Sequence, residues 1–348
     1  MRIVIVNVQE PFGYGGAEIL AEDLRDALID AGHPTEIVAI PWTGHPADRL
    51  LANILAFRLM DLTESRGVGI DRLIGLKFPA YLIPHRNKVV WLIHQHRAAY
   101  ELWNDEYGLS RLPGGAQARE AVRRADLRAF GEARRVLTIS RNVSARLERT
   151  LGCGSLAVYP PPRNAAKFYC ESDERYFFFP SRSAPLKRQR LVVTAMALTR
   201  QPVRVVFTGD GAGSGGYGAE LRGLADELGL GERCEWLEWV PESELLRWYA
   251  HCRAVVFPPL DEDYGFITLE AMLASKPVLT CRDSGATLEF VAHGETGLAV
   301  EPNKESVALG MDELWADPDR ARRWGQAGRR RIDDLAIGWP KVVQELLA

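Results

Sequence analysis

The sequence has 348 residues, of which 47% are hydrophobic and 26% are charged, which predicts about two globular domains and excludes a disordered chain. No apolar run approaches the roughly 20 residues that a transmembrane helix needs, and the first run, 2–8, lacks the small-residue cleavage site of a signal peptide. A net charge of -3 argues against nucleic acid as a partner.

Strands and helices alternate from the start of the chain. The run 2–8 predicts a first strand, and after a glycine-rich turn the apolar residues of 17–32 recur at helical spacing. Gly32 is placed to end that helix as a left-handed cap. Further short strands are predicted at 35–40, 88–94, 135–140 and 155–160.

The proline-rich segment 158–168 interrupts this alternation, because consecutive prolines fit neither a helix nor a central strand. A second series then begins, with a strand at 175–181 and a helix at 187–198. Its later strands are predicted at 203–209, 234–240, 254–259 and 276–281. Two such series predict an α/β fold of two Rossmann-like parallel-sheet domains that face a cleft, where ligands bind beyond the carboxyl ends of the strands.

The segment 258–279, PPLDEDYGFITLEAMLASKPVL, is the most informative part of the chain. Glu262 lies in a predicted loop, Gly265 permits close backbone approach, and Glu270 lies about one turn inside the helix that follows. Free amides at a helix start form an anion site, and a nearby carboxylate can accept hydrogen bonds from sugar hydroxyls. Taken alone, the two glutamates are more simply explained as acidic residues that stabilise a helix N-terminus.

The same segment resembles the signature of the family 4 retaining glycosyltransferases: a glutamate, a glycine three residues on, and a second glutamate before Ala-Met. Similar stretches lie along nearly the whole chain, at 13–18, 91–96, 181–187, 207–211, 242–252, 284–302 and 336–347. The resemblance implies a GT-B fold that depends on a nucleotide sugar. It would have an acceptor-side domain over 1–165, a donor-side domain over 170–335, and a C-terminal helix over 336–348 that returns to the first domain.

The resemblance also implies a role for each matching residue. Glu262 and His94 would be the catalytic residues, which contact the transferred sugar, and Glu270 would hold the ribose hydroxyls of the nucleotide. The donor diphosphate would be bound by backbone amides and cations of Gly15, Gly16, Arg182, Lys187, Gly265, Phe266 and Ile267.

Arg182 and Lys187 suit the chemistry of sugar–phosphate cleavage. Fixed cations beside the leaving diphosphate stabilise its developing charge, so we expect neither a metal nor any cofactor besides the donor substrate. The simpler alternative is a pair of solvated loop cations. Two positions depart from the family pattern, because Ser181 stands where glycine is usual and Arg188 follows Lys187 where glycine often comes.

Two other motifs point to different chemistry. His94 and His96 are spaced to share one side of a strand, as metal ligands would be, but no third ligand is evident. Gly211, Gly213 and Gly216 form the G-x-G-x-x-G of a dinucleotide-binding enzyme, yet the motif neither follows its strand directly nor opens a helix at once. We therefore interpret the glycines as a loop.

Nine arginines against four acidic residues mark the Arg-rich segment, 119–149. It is either a surface for an anionic lipid or a phosphate-bearing acceptor, or a helix face of mixed charge, which is the simpler explanation. The five cysteines include no C-x-x-C pair and indicate a reducing compartment, so we expect a cytoplasmic protein, peripheral to the inner face of the membrane if the segment binds lipid.

The predicted function is hexose transfer, with retained configuration, from a nucleotide-diphosphate sugar to a glycan, lipid-linked or small-molecule acceptor. The alternative is a sugar-nucleotide epimerase or a transferase-like enzyme of the same fold. An NAD-dependent oxidoreductase is less favoured.

Overall fold

The computed structural model describes residues 1–9, 11, 13–42, 47–209 and 216–348. They divide into two compact units, of which one comprises Met1–Arg163 with Gly338–Ala348 and the other comprises Asn164–Ile337. We call these units the N-terminal domain and the C-terminal domain. The division falls within the proline-rich segment and again just before the last helix.

The described N-terminal domain contains six strands of one parallel sheet. They are β1 (Ile3–Gln9), β2 (Thr35–Pro41), β5 (Arg72–Gly75), β6 (Lys88–Leu92), β7 (Arg135–Thr138) and β8 (Leu156–Ala157), in the order β2-β1-β5-β6-β7-β8. Two short antiparallel strands, β3 (Glu64–Ser65) and β4 (Val68–Gly69), lie outside this sheet. The helices that follow strands of the domain are α1 (Gly16–Asp30), α2 (Ala47–Leu59), α3 (Gly115–Gly131) and α4 (Arg141–Leu151).

The described C-terminal domain contains a second six-stranded parallel sheet. Its strands are β9 (Phe177–Pro180), β10 (Val205–Thr208), β11 (Cys234–Trp236), β12 (Ala254–Val256), β13 (Val278–Cys281) and β14 (Gly297–Val300). Its helices are α5 (Gln189–Met196), α6 (Tyr217–Glu227), α7 (Glu242–His251), α8 (Phe266–Leu273), α9 (Thr287–Phe290), α10 (Lys304–Ala316) and α11 (Pro318–Asp334).

The strand order of this sheet is β11-β10-β9-β12-β13-β14, the doubly wound order of a Rossmann fold. Because the chain moves outward from β9 in one direction and returns to β12 on its other side, the topological switch point lies between β9 and β12. The central strand, with Phe177, Phe178 and Phe179 fully buried, is covered on both faces as parallel sheets require.

Helix α12 (Trp339–Leu347) belongs to the N-terminal domain. The Trp339 ring meets Trp91 edge-on at 6.3 Å, and Arg72 Nη1 donates to the Leu346 carbonyl at 2.6 Å. A buried arginine that reaches a helix C-terminus satisfies a carbonyl that the helix itself leaves open. These contacts fix α12 against the domain in which the chain starts.

The predicted alternation of strands and helices is confirmed, and most of the errors lie at element ends. Gly32, at φ 84°, caps α1 in the left-handed conformation as expected. The strand predicted at 234–240 ends at Trp236, and Trp239 is 76% exposed. As the edge strand of its sheet, β11 has a partner on one side only, and beyond Trp236 the apolar pattern continues into a loop that keeps single hydrogen bonds to β10 at Leu237 and Glu238.

Candidate functional site

Two loops flank the switch point of the C-terminal domain. The loop after β9 carries Arg182 and Lys187, and the loop after β12 carries Glu262. The amide of Leu260 donates to the carbonyl of Leu186 at 2.8 Å, so a backbone hydrogen bond ties the two loops together. The sequence pattern thus brings three predicted site residues to the place where doubly wound sheets bind ligands.

Lys187 and Glu262 form an ion pair at this place. The ammonium of Lys187 lies 2.7 and 2.9 Å from the two carboxylate oxygens of Glu262, and both side chains are about one-fifth exposed. Arg182 is exposed and makes no ion pair with any residue of the described part of the chain. One predicted cation is therefore matched by a predicted acid, and the other remains in solvent.

Gly265 turns the chain into helix α8. Its φ of 83° is left-handed, and a Cβ there would lie 3.0 Å from Thr287 Oγ1, so a larger residue is disfavoured by both conformation and space. Phe266 and Ile267 are the first two helical residues, whose amides no helical carbonyl can accept. The start of α8 thus has amides without helical partners, and their use as an anion site stays a prediction.

Two buried hydroxyl groups adjoin this helix start. Thr268 and Thr287 are fully buried, and their Oγ1 atoms have no hydrogen-bond partner within the described residues. Both atoms lie within 3.4 Å of the position that a Cβ of Gly265 would take. Buried hydroxyl groups usually have a hydrogen-bond partner, so these two hydroxyls indicate a place that can form hydrogen bonds with a ligand.

Glu270 is held by a buried tyrosine. The Tyr249 hydroxyl, on α7, donates to Glu270 Oε2 at 2.6 Å, and the tyrosine is 0% exposed. Burial raises the pKa of Glu270, and the hydrogen bond from Tyr249 lowers it in part. Because Oε2 of Glu270 accepts from the tyrosine, Oε1 can accept a hydrogen bond from another donor, such as a sugar hydroxyl.

Three residues of this region escaped the sequence analysis. They are Tyr249, Arg188 and Asp283, of which the last two form a two-fold ion pair with both distances 2.7 Å. Their partners lie 21 or 95 positions away in the sequence, so no local motif joins them. The one available signal was the departure from the family pattern at Arg188.

The acidic residues beside Glu262 qualify the prediction of metal independence. Asp261 and Asp263 flank it at an Asp-x-Asp spacing that the sequence analysis did not weigh. Within the described residues, no group of three or more His, Cys, Asp or Glu side chains is placed to hold a metal ion. Metal independence therefore stays a prediction, to be tested by chelation.

The predicted catalytic His94 lies in the N-terminal domain. Strand β6 ends at Leu92, so His94 and His96 follow the strand and do not share one side of it, which removes the geometric basis of the metal alternative. The Nδ1 atom of His94 lies 2.6 Å from the Gln95 carbonyl. The His96 ring packs against Phe78 at 5.3 Å, as a core residue does.

A buried hydrogen-bond network adjoins residues 93–100, which carry His94 and His96 and which we call the histidine loop. The carboxylate of Asp126, on α3, is 0% exposed and accepts from the hydroxyls of Tyr81 and Tyr100 at 2.8 and 2.7 Å. Burial raises the pKa of Asp126 to about 7, although both hydroxyls lower it. Tyr100 belongs to the turn that follows the histidines, so its hydrogen bond to Asp126 connects that turn to α3.

Gly15 and Gly16 lie at the start of α1, as predicted for the glycine loop. The Gly15 amide donates to Glu18 Oε2 at 2.9 Å, and a Cβ at Gly16 would meet no atom within 4 Å. Neither glycine has a positive φ. Packing of the described chain does not require Gly16, and approach of a ligand to its backbone stays a prediction.

The Arg-rich segment combines structural and exposed arginines. Arg146 is 3% exposed and lies 3.3 Å from Glu101, whereas Arg123 and Arg124 are exposed and share Glu120. Part of the segment therefore fits the explanation of mixed charge. Of the described helices, none combines the length and hydrophobicity that crossing a bilayer requires.

The dinucleotide motif lies mostly outside the described residues, since only Gly216 of its three glycines is described. Gly216 is the N-cap of α6, so the prediction that the motif does not open a helix at once is wrong at its last glycine.

Sequence comparison gives an independent line of evidence. Residues 163–331 match the family described as "Glycosyl transferases group 1". The chain is 31% identical to the GDP-mannose-dependent alpha-(1-6)-phosphatidylinositol monomannoside mannosyltransferase of Mycobacterium tuberculosis (strain ATCC 25618 / H37Rv), over 95% of this chain and 93% of that protein. It is 33% identical to the D-inositol 3-phosphate glycosyltransferase of Corynebacterium glutamicum (strain R), over 40% of this chain but only 32% of that protein's length.

Solved structures share the fold. The sucrose-phosphate synthase from Thermosynechococcus elongatus has a TM-score of 0.77 at 18% identity and covers 99% of this chain and 97% of its own. HepE from Anabaena, in complex with UDP and glucose, has a TM-score of 0.71 at 16% identity, with 100% and 98% covered. These likenesses confirm two α/β domains of the GT-B type.

The mycobacterial relative, which matches over 95% of this chain, supports a conclusion about the family as well as the fold. Its match extends over both domains, and the family match covers nearly the whole C-terminal domain, where Glu262, Gly265 and Glu270 lie. The comparisons give no support to a nicotinamide enzyme. The chain belongs to the group 1 glycosyltransferases, which transfer a glycosyl group from a nucleotide sugar.

Proposed function

We propose that the C-terminal domain binds the nucleotide-sugar donor at its switch point. The diphosphate lies at the amides of Gly265, Phe266 and Ile267, with Arg182 and Lys187 as counter-charges. The observation that carries this assignment is the Lys187–Glu262 ion pair, at 2.7 and 2.9 Å, directly beside the left-handed turn into α8.

The Lys187–Glu262 ion pair gives both charges a partner before a donor binds. Without a ligand, the carboxylate of Glu262 neutralises Lys187. When a diphosphate enters, Lys187 exchanges a carboxylate for phosphate oxygens, and Glu262 accepts hydrogen bonds from the sugar in place of those from Lys187. Because each group gains a new partner as it loses the old one, neither charge is left buried and unpaired.

The same residues supply the chemistry of transfer. Cleavage of the sugar–phosphate bond leaves negative charge on the diphosphate, which Lys187, Arg182 and the α8 amides stabilise in place of a divalent metal. We infer retention of the anomeric configuration, with departure and attack on one face of the sugar. Glu270 holds the ribose, and His94 contacts the transferred sugar.

The relatives suggest which substrates to try first. The mycobacterial relative is named for GDP-mannose and a phosphatidylinositol monomannoside, and the corynebacterial one for D-inositol 3-phosphate. We propose GDP-mannose as the donor, with UDP-glucose as its rival, and an inositol-containing acceptor that is lipid-linked or phosphate-bearing. Anomeric proton couplings of the product, measured by NMR, test retention.

Titration calorimetry with GDP and UDP tests the donor site. We expect the wild type to bind one of them equally well in EDTA and in manganese. Replacing Lys187 by Met should weaken that binding at least tenfold, because a charge-assisted contact is lost. A binding that requires manganese would overturn metal independence and turn attention to Asp261 and Asp263.

A matched control exists in the same domain. Lys167 pairs with Glu242 at 2.9 Å on the exposed surface, and neither residue belongs to the loops after β9 and β12. Lys167→Met also removes a lysine from an ion pair, and we expect nucleotide affinity within twofold of the wild type. Equal losses in the two variants would contradict the assignment of Lys187.

We also propose that the N-terminal domain contacts anionic lipid. Helix α2 exposes Leu51, Leu55 and Leu59, spaced one helical turn apart, and packs beside α3 with its exposed arginines. Exposed leucines on one helix and exposed arginines on the helix packed beside it suit a surface that inserts shallowly among anionic headgroups. Vesicles with and without phosphatidylglycerol test this: we expect co-sedimentation only with the anionic lipid, and its loss on Leu51→Ser with Leu55→Ser.

A further inference from the structure

Two strained residues adjoin the ion pair of the donor site. Arg188 follows Lys187 with φ 61°, and Asp261 precedes Glu262 with φ 46°. Non-glycine residues rarely adopt this left-handed conformation, because Cβ approaches the following carbonyl oxygen. Such residues persist where the surrounding contacts hold them, and they concentrate at functional sites.

Both strained residues are tied to the same partner, Asp283, which follows β13. The guanidinium of Arg188 donates to both carboxylate oxygens of Asp283, each at 2.7 Å. The amide of Asp261 donates to the carbonyl of Asp283 at 2.9 Å. One residue thus receives hydrogen bonds from the neighbours of Lys187 and of Glu262.

The Arg188–Asp283 pair is joined by two hydrogen bonds, which fix the orientation of the two side chains as well as bringing their charges together. A planar guanidinium and a carboxylate joined by two parallel hydrogen bonds fix each other's orientation, which a lysine ammonium could not do. Arg188 is also the N-cap of α5, so its backbone fixes where the loop ends and the helix begins. Its conformation therefore sets the direction in which Lys187 leaves the loop.

We propose that the Arg188–Asp283 pair is a positioning clamp. It maintains the left-handed backbone at Arg188 and thereby keeps Lys187 beside Glu262 and aimed at the donor diphosphate. The proposal rests on the donor site proposed above. In this proposal neither Arg188 nor Asp283 contacts the donor, because Nη1 and Nη2 of Arg188 both donate to the carboxylate of Asp283.

A double-mutant cycle on nucleotide affinity tests the clamp. We expect Arg188→Ala and Asp283→Asn each to raise the Kd of the nucleoside diphosphate that the wild type binds by roughly tenfold, and the double variant to be no worse than either single one. Arg188→Gly should recover to within about threefold, because glycine adopts the left-handed conformation without a clamp. In the Arg188→Gly background, Asp283→Asn should then change Kd by less than twofold.

Thermal unfolding supplies a readout that does not depend on the ligand. We expect Arg188→Gly to unfold at a higher temperature than Arg188→Ala, since only alanine retains the strain. Arg175, exposed with φ 62° in the same domain, is the matched control. Arg175→Ala and Arg175→Gly should show the same order of stability but leave nucleotide affinity unchanged.

The outcomes separate the clamp from the donor site. If the wild type binds a nucleoside diphosphate and Arg188→Ala binds it equally well, the clamp is wrong and the donor site stands. Additive losses in the cycle, or an Arg188→Gly variant as weak as Arg188→Ala, would also overturn the clamp. A wild type that binds neither GDP nor UDP would overturn both proposals.

Discussion

The two domains hold their candidate residues by different means. In the C-terminal domain, two ion pairs hold the loops of the switch point: Lys187 pairs with Glu262 and Arg188 with Asp283, and each pair is partly exposed. In the N-terminal domain, the histidine loop lies over a fully buried network in which Asp126 accepts from two tyrosines. The first arrangement consists of partly exposed charged pairs, and the second is a buried carboxyl group between two hydroxyls.

The difference follows from what each arrangement can do. A partly exposed ion pair loses little when one partner exchanges for a ligand, because water and the ligand compensate both charges. A buried carboxylate between hydroxyls cannot exchange partners without leaving a polar group unsatisfied. We therefore expect the charged pairs to respond to donor and the buried network to act as scaffold.

The largest effect should come from replacing the buried carboxyl group of Asp126. Because the pKa of Asp126 rises from its ordinary 3.8 to about 7 on folding, the folded state keeps a proton that the unfolded state has lost. Stability should therefore fall as pH rises from about 4 to about 7, by up to about 1.4 kcal/mol per pH unit from this group. In Asp126→Asn, which resembles the protonated form, this decline should be absent.

Urea unfolding across that pH range checks the prediction, with the difference between variant and wild type as the measured quantity. The difference removes the contribution of all other titrating groups. If Asp126→Asn follows the wild type in parallel, the buried carboxylate is not a source of the pH dependence, and the contrast between the domains weakens.

Glu270→Ala should have the next largest effect. We expect nucleoside diphosphate affinity to weaken by roughly 1.5–3 kcal/mol, the range for hydrogen bonds to a charged group. The wild type should also lose affinity as pH falls through the raised pKa of Glu270, because a protonated carboxyl accepts less well. Calorimetry on the nucleoside diphosphate decides this, and unchanged affinity would remove Glu270 from the ribose role.

Tyr249→Phe should have the smallest effect of the three. Loss of its hydroxyl removes one donor to Glu270 but leaves the carboxylate in place, so we expect affinity to fall by about 1 kcal/mol. Because that hydrogen bond lowers the pKa of Glu270, its loss should move the acid limb of nucleotide binding to higher pH. Binding isotherms at several pH values measure both, and an acid limb that stays in place would show that Tyr249 only packs.

What the sequence could predict was local. Strands and helices of both domains were recognised because apolar spacing and glycine caps act over a few residues, as at Gly32 and at Gly265 before α8. The clamp could not be found this way, since Arg188 and Asp283 meet only when β13 has joined the sheet beside β12. Likewise, His94 was assigned to a strand because the apolar run continues past Leu92, where pairing stops.

Helix α12 has a consequence for the order in which the chain is assembled. Because Gly338–Ala348 belongs with Met1–Arg163, the C-terminal domain is, along the chain, an insertion into the N-terminal one. On a ribosome, the inserted domain can complete its sheet while its host still lacks Trp339 against Trp91 and the Leu346 carbonyl that Arg72 needs. The N-terminal domain, synthesised first, is therefore the last to be finished.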